Sequence, residues 1–270
     1  MTDLITAADT LEAQIRANRP LPQLDSDFVI PHYAGLSIYN VAQTVAALLG
    51  APAPHPLDPA VWGGHSPVGS IDRVLLFITD GLGYHLLRRI AAEDAPIADL
   101  IAQITGGRDF TPLTSVAPST TACAMPTFWT AQPPSATGML GTAMWLREFS
   151  TLGDMLRYSP VYGKGDPMEF EAWGIAPEAF IPVPSLPQQL NAVGVPTHLV
   201  LAGYLFGSGL SRYMHRGVQQ HYPHTGQSDA YPRLRDALRE TSGQRCYVAA
   251  YLPNIDSLAH AYGYDTPILR

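Results

Sequence analysis

Two aspartates stand where a sheet protein keeps its chemistry. Asp80 follows the apolar run Val74-Leu75-Leu76-Phe77-Ile78-Thr79 and precedes Gly81-Leu82-Gly83, while Asp256 follows Cys246–Leu252 after Pro253-Asn254-Ile255. In open α/β sheets ligands bind beyond the carboxyl ends of the strands, so both acids are expected at one crevice. The glycines after Asp80 let the backbone approach a ligand closely. The plain alternative for an Asp in this position is a turn or a helix cap. His260 follows Asp256 by four residues, which on a helix puts a carboxylate and an imidazole on one face, a spacing that can bind a metal. An ordinary surface pair has the same spacing.

A third element is Pro118-Ser119-Thr120-Thr121-Ala122-Cys123-Ala124-Met125, a loop feeding an apolar helix that runs to about Ala131. A hydroxyl at a helix N-terminus sits among free N–H groups, where the dipole favours an anion, so it can attack a phosphate and have the developing charge stabilised. Simple capping by Ser or Thr is the alternative. The histidines His215, His221 and His224 cluster in Met214–His224 and read as part of a solvated loop, with substrate contact as the alternative. No Gly-x-Ser-x-Gly, no Walker sequence around Gly163-Lys164 and no complete Gly-x-Gly-x-x-Gly occurs, which removes acyl-serine, P-loop and dinucleotide chemistry.

The elements that must position these residues alternate. Asp3–Asn18 and Ser37–Leu49 read as helices, and Ala51–Ser70 as a Pro-, Gly- and His-rich loop. Val74–Ile78 reads as a strand buried on both faces, followed by a helix over Tyr84–Ala92. Strand-like runs recur at His198–Leu201 and Cys246–Leu252, separated by helical stretches at Ser185–Val193 and Ser228–Glu240. Such alternation predicts a mainly parallel sheet with helices on both faces, in one domain over residues 1–270.

Composition narrows the class. With 46% hydrophobic and 14% charged residues the chain has material for a core and too little charge for disorder. A net charge of −7 without charge blocks argues against a nucleic-acid surface. Cys123 and Cys246 are far apart in apolar surroundings and form no thiolate metal motif, and neither a signal sequence nor a membrane span is recognised. The chain is therefore expected in the cytoplasm.

Taken in order, Val74–Gly83, Pro118–Thr121 and Asp256-x-x-x-His260 resemble the alkaline phosphatase superfamily, and within it the type I phosphodiesterase and nucleotide pyrophosphatase family. Pro31–Ile38, Thr130–Gly138 and Ser208-Gly209-Leu210-Ser211 support the resemblance, which runs from about Phe28 to the last residue. It implies a three-layer α/β/α sandwich and a hydrolase with two divalent metals, usually zinc, with manganese as the other candidate. A Thr or Ser attacks phosphorus in line, and the covalent phospho-enzyme is then hydrolysed. By position, Asp80 and Thr121 would serve one metal, and Asp256 and His260 the other. Counting back from Thr130-Ala131 selects Thr121 over Thr120 as nucleophile. Thr142 falls where the family has an Asn contacting phosphate, and Ala122-Cys123-Ala124-Met125 replaces its Phe-Pro-Asn-His.

The resemblance also implies three further ligands, an adjacent Asp-His pair and a later His, beyond the Asp-x-x-x-His motif. No Asp-His dipeptide occurs in the chain, which ends at Arg270. A catalytic zinc needs about three protein ligands, so the expectation is an alkaline phosphatase-like domain lacking its C-terminal part, with an exposed apolar sheet edge and self-association. The expected substrate is a small phosphate ester, a phosphodiester or pyrophosphate, with a phosphomonoester or phosphonate as alternatives. A degenerate relative that keeps the scaffold as a binding module is the reading from a different class.

Overall fold

The computed structural model describes residues 2–64, 67–69, 71–107, 110–162, 166–264 and 266–269, with side chains from residue 8 onward. Of the loop expected over Ala51–Ser70, residues 65, 66 and 70 lie outside the described residues, as do Gly163 and Lys164. In chain order the elements are α1 (Thr2–Ala17), α2 (Ile38–Leu48), β1 (Arg73–Thr79), α3 (Tyr84–Glu93), α4 (Ala95–Thr105), α5 (Thr121–Thr130) and α6 (Pro134–Thr137). There follow β2 (Ala143–Leu146), β3 (Thr151–Asp154), β4 (Ser159–Pro160), α7 (Glu169–Ala172), α8 (Pro177–Phe180) and α9 (Leu186–Asn191). The chain continues with β5 (Thr197–Ala202), α10 (Gly209–Met214), β6 (Gln220–His224), α11 (Gln227–Glu240), β7 (Cys246–Leu252) and α12 (Asn254–Tyr262). The expected 51–70 loop carries a 3₁₀ turn at Pro59–Trp62, started by the Asp58 carboxylate accepting from the Ala60 N–H at 2.8 Å.

Two compact units emerge: Met1–His32, Thr79–Thr114 and Leu252–Arg270 form one, and Tyr33–Ile78 and Ser115–Tyr251 the other. The larger unit is built on a sheet with strand order β1-β7-β5-β6, in which β5 runs parallel to both β6 and β7. Side chains alternate across a strand, and here the alternation divides the core. Leu199, Leu201, Tyr247, Ala249 and Tyr251 face one cluster with Ala42 and Val45 of α2, Trp129 of α5 and Leu190 of α9. Val200, Cys246, Val248 and Ala250 face a second cluster with Ala237 of α11. Helices therefore flank the parallel sheet, the layering of an alkaline phosphatase-like α/β fold. A separate antiparallel sheet, β2-β3-β4, follows α6.

Two expectations are corrected. β1 is not buried on both faces: Val74, Leu76 and Ile78 pack on the first cluster, but Leu75 and Phe77 on the opposite face are 43% and 40% exposed. The physical reason is position. β1 ends the strand order, and the Phe77 ring stacks on Tyr231 of α11 with centroids 6.2 Å apart. The histidine-rich segment is not a solvated loop either, because Gln220–His224 pairs with β5 as an edge strand, a place where Pro223 is tolerated. His224 is buried, and the His215 ring packs edge-on against Trp129 with centroids 4.3 Å apart. Among the described residues no helix is long and apolar enough to cross a membrane.

These enclosed imidazoles make stability pH-dependent. Burial, and then the nearby His221, push His215 down to about 3, and burial lowers His198 despite the charge of Glu240. Below the ordinary histidine pKa of about 6.5 the unfolded chain binds protons that the folded chain refuses, so stability is full above that pH and is lost as pH falls. The slope is about 1.4 kcal/mol per pH unit for each such histidine. Urea unfolding at pH 7.5 and 5.5 is expected to give a lower midpoint at 5.5; an equal or higher midpoint there would contradict the burial of neutral imidazoles.

Candidate functional site

Asp80, Asp256 and His260 lie in the smaller unit, and the backbone brings the two acids together. The β1–β7 pairing begins with the Cys246 N–H donating to the Asp72 carbonyl at 3.0 Å, and beyond the strands the Asp80 N–H donates to the Leu252 carbonyl at 3.0 Å. The Asp256 N–H then donates back to the Asp80 carbonyl, also at 3.0 Å. Each acid is thus fixed through its own main chain, independently of its side chain.

Gly81 makes that contact sterically feasible. Its φ is +79°, in the left-handed region that glycine adopts without penalty. A Cβ at this position would stand 2.6 Å from the Asp256 nitrogen and 2.7 Å from its Cα. The turn closes with the Gly83 N–H on the Gly81 carbonyl at 3.1 Å, and Gly83 is the residue just before α3.

Asp256 occupies the first turn of α12, where the helix dipole favours a carboxylate. One turn later the His260 Nε2 stands 3.6 Å from the Asp256 Oδ1, and the imidazole is 82% exposed. Burial pushes the Asp256 carboxyl above the usual carboxylate range, and the Asp80 charge adds to the shift against the opposing effect of His260. Two carboxylates crowded at the end of neighbouring strands are a donor set that a divalent cation would relieve, and oxygen with imidazole nitrogen suits zinc or manganese in kind. In number the set is small: among the described residues no group of three or more His, Cys, Asp or Glu side chains is arranged to hold a metal ion.

Thr121 and Thr142 lie in the larger unit. Thr120 is the residue before α5, and its carbonyl accepts the first helical bonds from Cys123 and Ala124 at 3.0 and 2.8 Å. Its hydroxyl does not cap the helix; Oγ1 instead stands 3.6 Å from the buried Cys123 Sγ, whose pKa burial raises. Thr121 is the first helical residue, in the turn where backbone N–H groups lack intrahelical partners. Thr142 immediately precedes β2, and its carbonyl accepts from the Met155 N–H at 2.7 Å, which ties the start of β2 to the end of β3. Two arginines that the sequence reading passed over, Arg212 and Arg216, line a cavity with the histidines once read as loop. Their signal was the run Ser211-Arg212-Tyr213-Met214-His215-Arg216, two cations beside an imidazole.

A family model described as Type I phosphodiesterase / nucleotide pyrophosphatase matches residues 74–270, well over half of the chain. No curated protein and no solved structure matches the chain. The matched span includes Asp80, Thr121, Thr142, Asp256 and His260.

Gly81→Ala is expected to lose about 1–3 kcal/mol of stability, because the new methyl group meets backbone and the residue keeps a positive φ. Urea unfolding of the two proteins measures it. A loss below about 0.5 kcal/mol, within the range of an ordinary surface substitution, would mean that the Gly81–Asp256 contact is not tight.

Proposed function

The chain belongs to the type I phosphodiesterase/nucleotide pyrophosphatase family, and from that membership we propose that it is a metal-dependent phosphoric-ester hydrolase with a threonine nucleophile, acting on a phosphodiester or pyrophosphate. The observation that carries the proposal is the Asp80–Asp256 junction, in which main-chain hydrogen bonds and Gly81 hold two carboxylates at the ends of adjacent strands. Of the two divalent metals, zinc or manganese, Asp80 and Thr121 would serve one, and Asp256 and His260 the other. When bound, such ions supply positive charge to the attacking and leaving oxygens and favour the deprotonated hydroxyl.

The chain's own groups account for the rest. The Thr121 Oγ gives up its proton and attacks phosphorus; the bond from phosphorus to the leaving oxygen breaks, and the leaving group takes up a proton. Water then cleaves the threonyl phosphoester, releasing the phosphate product and restoring the hydroxyl. The first turn of α5 favours this chemistry, since the helix dipole stabilises growing negative charge at its N-terminus. Thr142 would offer one hydroxyl to a phosphate oxygen. The absence of a group of three or more donors among the described residues favours a second reading, a family member that keeps the scaffold and binds without turnover.

Hydrolysis of a chromogenic phosphodiester and the matching monoester, with added zinc or manganese, separates the two. Metal-dependent diester cleavage is expected, falling by about 10³-fold or more in Thr121→Ala and only a few-fold in Thr120→Ala. Full activity in Thr121→Ala, or turnover that ignores the metal, would overturn the proposal; no turnover at all would leave the binding module.

A further inference from the structure

The larger unit holds a cavity of about 380 Å³, within the range of small-molecule sites, where Arg212, Arg216, His215, His221, Ser211 and Glu178 converge. None of these belongs to the proposed catalytic set. The charges around the cavity pair unevenly. Arg212 is matched: its Nε donates to Glu178 Oε1 at 2.7 Å and its Nη1 lies 2.8 Å from Glu171 Oε1. Arg216 is not. Its guanidinium donates to main-chain carbonyls alone, those of Tyr213 at 3.0 Å, Glu178 at 2.9 Å, Ile181 at 3.5 Å and Val183. Four bonds to neutral oxygens leave one of its five N–H groups unbonded among the described residues. Among the described residues no carboxylate oxygen lies within 4.0 Å of it.

Burial lowers the Arg216 pKa, with the Glu178 charge opposing, which is the expected penalty for a part-buried cation with no carboxylate in contact. The imidazoles are held but unused. His215 is fixed by Trp129, and His221 by Phe206 at 4.8 Å between centroids, yet among the described residues neither ring makes a hydrogen bond. Burial keeps both neutral, so each has an N–H to give. Ser211 adds a hydroxyl, and Phe206 and Pro223 supply an apolar wall.

We propose that this cavity is a second ligand site, separate from the proposed catalytic residues, that takes a small oxyanion, with Arg216 as its counter-charge and His215, His221 and Ser211 as hydrogen-bond donors. The apolar wall leaves room for a compact organic substituent, so the natural ligand is a small phosphorylated or carboxylated molecule rather than a polymer. The Glu178 carboxylate is the one acid lining the site, and its bond to Arg212 keeps it ionised and engaged; Glu171 also pairs with Arg212, which leaves Arg216 as the cation without a carboxylate in contact among the described residues.

Calorimetric titration of the full chain with inorganic phosphate tests the proposal. Saturable binding with Kd below about 1 mM is expected. Arg216→Met should weaken it by about tenfold or more, as loss of a charge-assisted hydrogen bond does, and Asp256→Asn should leave it unchanged. Because Arg216 also ties down four carbonyls, His221→Ala on the exposed edge strand serves as the second variant, with an expected weakening of about fivefold. The proposal is overturned by no saturable binding up to about 10 mM, by wild-type affinity in His221→Ala, or by loss of binding in Asp256→Asn, which would move the phosphate to the proposed metal site.

Discussion

The pairing of β1 with β7 is the constraint on which the proposed chemistry depends. Because the ladder carries through to the Asp80 N–H on Leu252, the residue after each strand is delivered to the same place, and the Asp256 N–H closes the junction on Asp80. Only a residue without Cβ fits between them, which assigns Gly81 a steric duty as well as a conformational one. The two carboxylates are thereby held close although their charges repel, and the raised Asp256 pKa registers that repulsion together with burial. The free energy for this comes from the rest of β7, whose residues from Cys246 to Leu252 are all buried and anchor the strand in two clusters.

Much of this was legible in sequence. Val74–Ile78 and Cys246–Leu252 are apolar runs bounded by polar residues, α5 begins at the predicted threonines, and Asp256 and His260 share a helical turn. Each of these signals is local, a run or a spacing, and local signals survive folding. The exposure of Leu75 and Phe77 was not legible, because an apolar run looks the same in a central and an edge strand. β6 was missed for the opposite reason: Gln220-His221-Tyr222-Pro223-His224 carries no β pattern, and it is a strand because β5 offers it a partner. The Asp80–Asp256 contact was anticipated only as two acids at one crevice, since a hydrogen bond between residues so far apart in sequence leaves no local trace.

The same limit explains the second site. Arg216 reads in sequence as one more surface cation, and only the folded chain shows its guanidinium turned toward carbonyls of the α8 region and a cavity, with no carboxylate to match it among the described residues. The two sites then have opposite electrostatic characters. Around Asp80 and Asp256 two carboxylates crowd together and call for a cation, whereas Arg216 is a part-buried cation held by carbonyls alone and calls for an anion.

The central claim, that the Asp80–Asp256 junction is a cation site, is tested most directly by equilibrium dialysis of the full chain against zinc or manganese with elemental analysis of the protein. The account predicts saturable uptake that weakens by about tenfold or more in Asp256→Asn, a variant that keeps the main-chain bonds and removes one charged donor. Equal uptake by the wild-type and variant proteins would contradict it, and would mean that the junction orders the ends of two strands and nothing more.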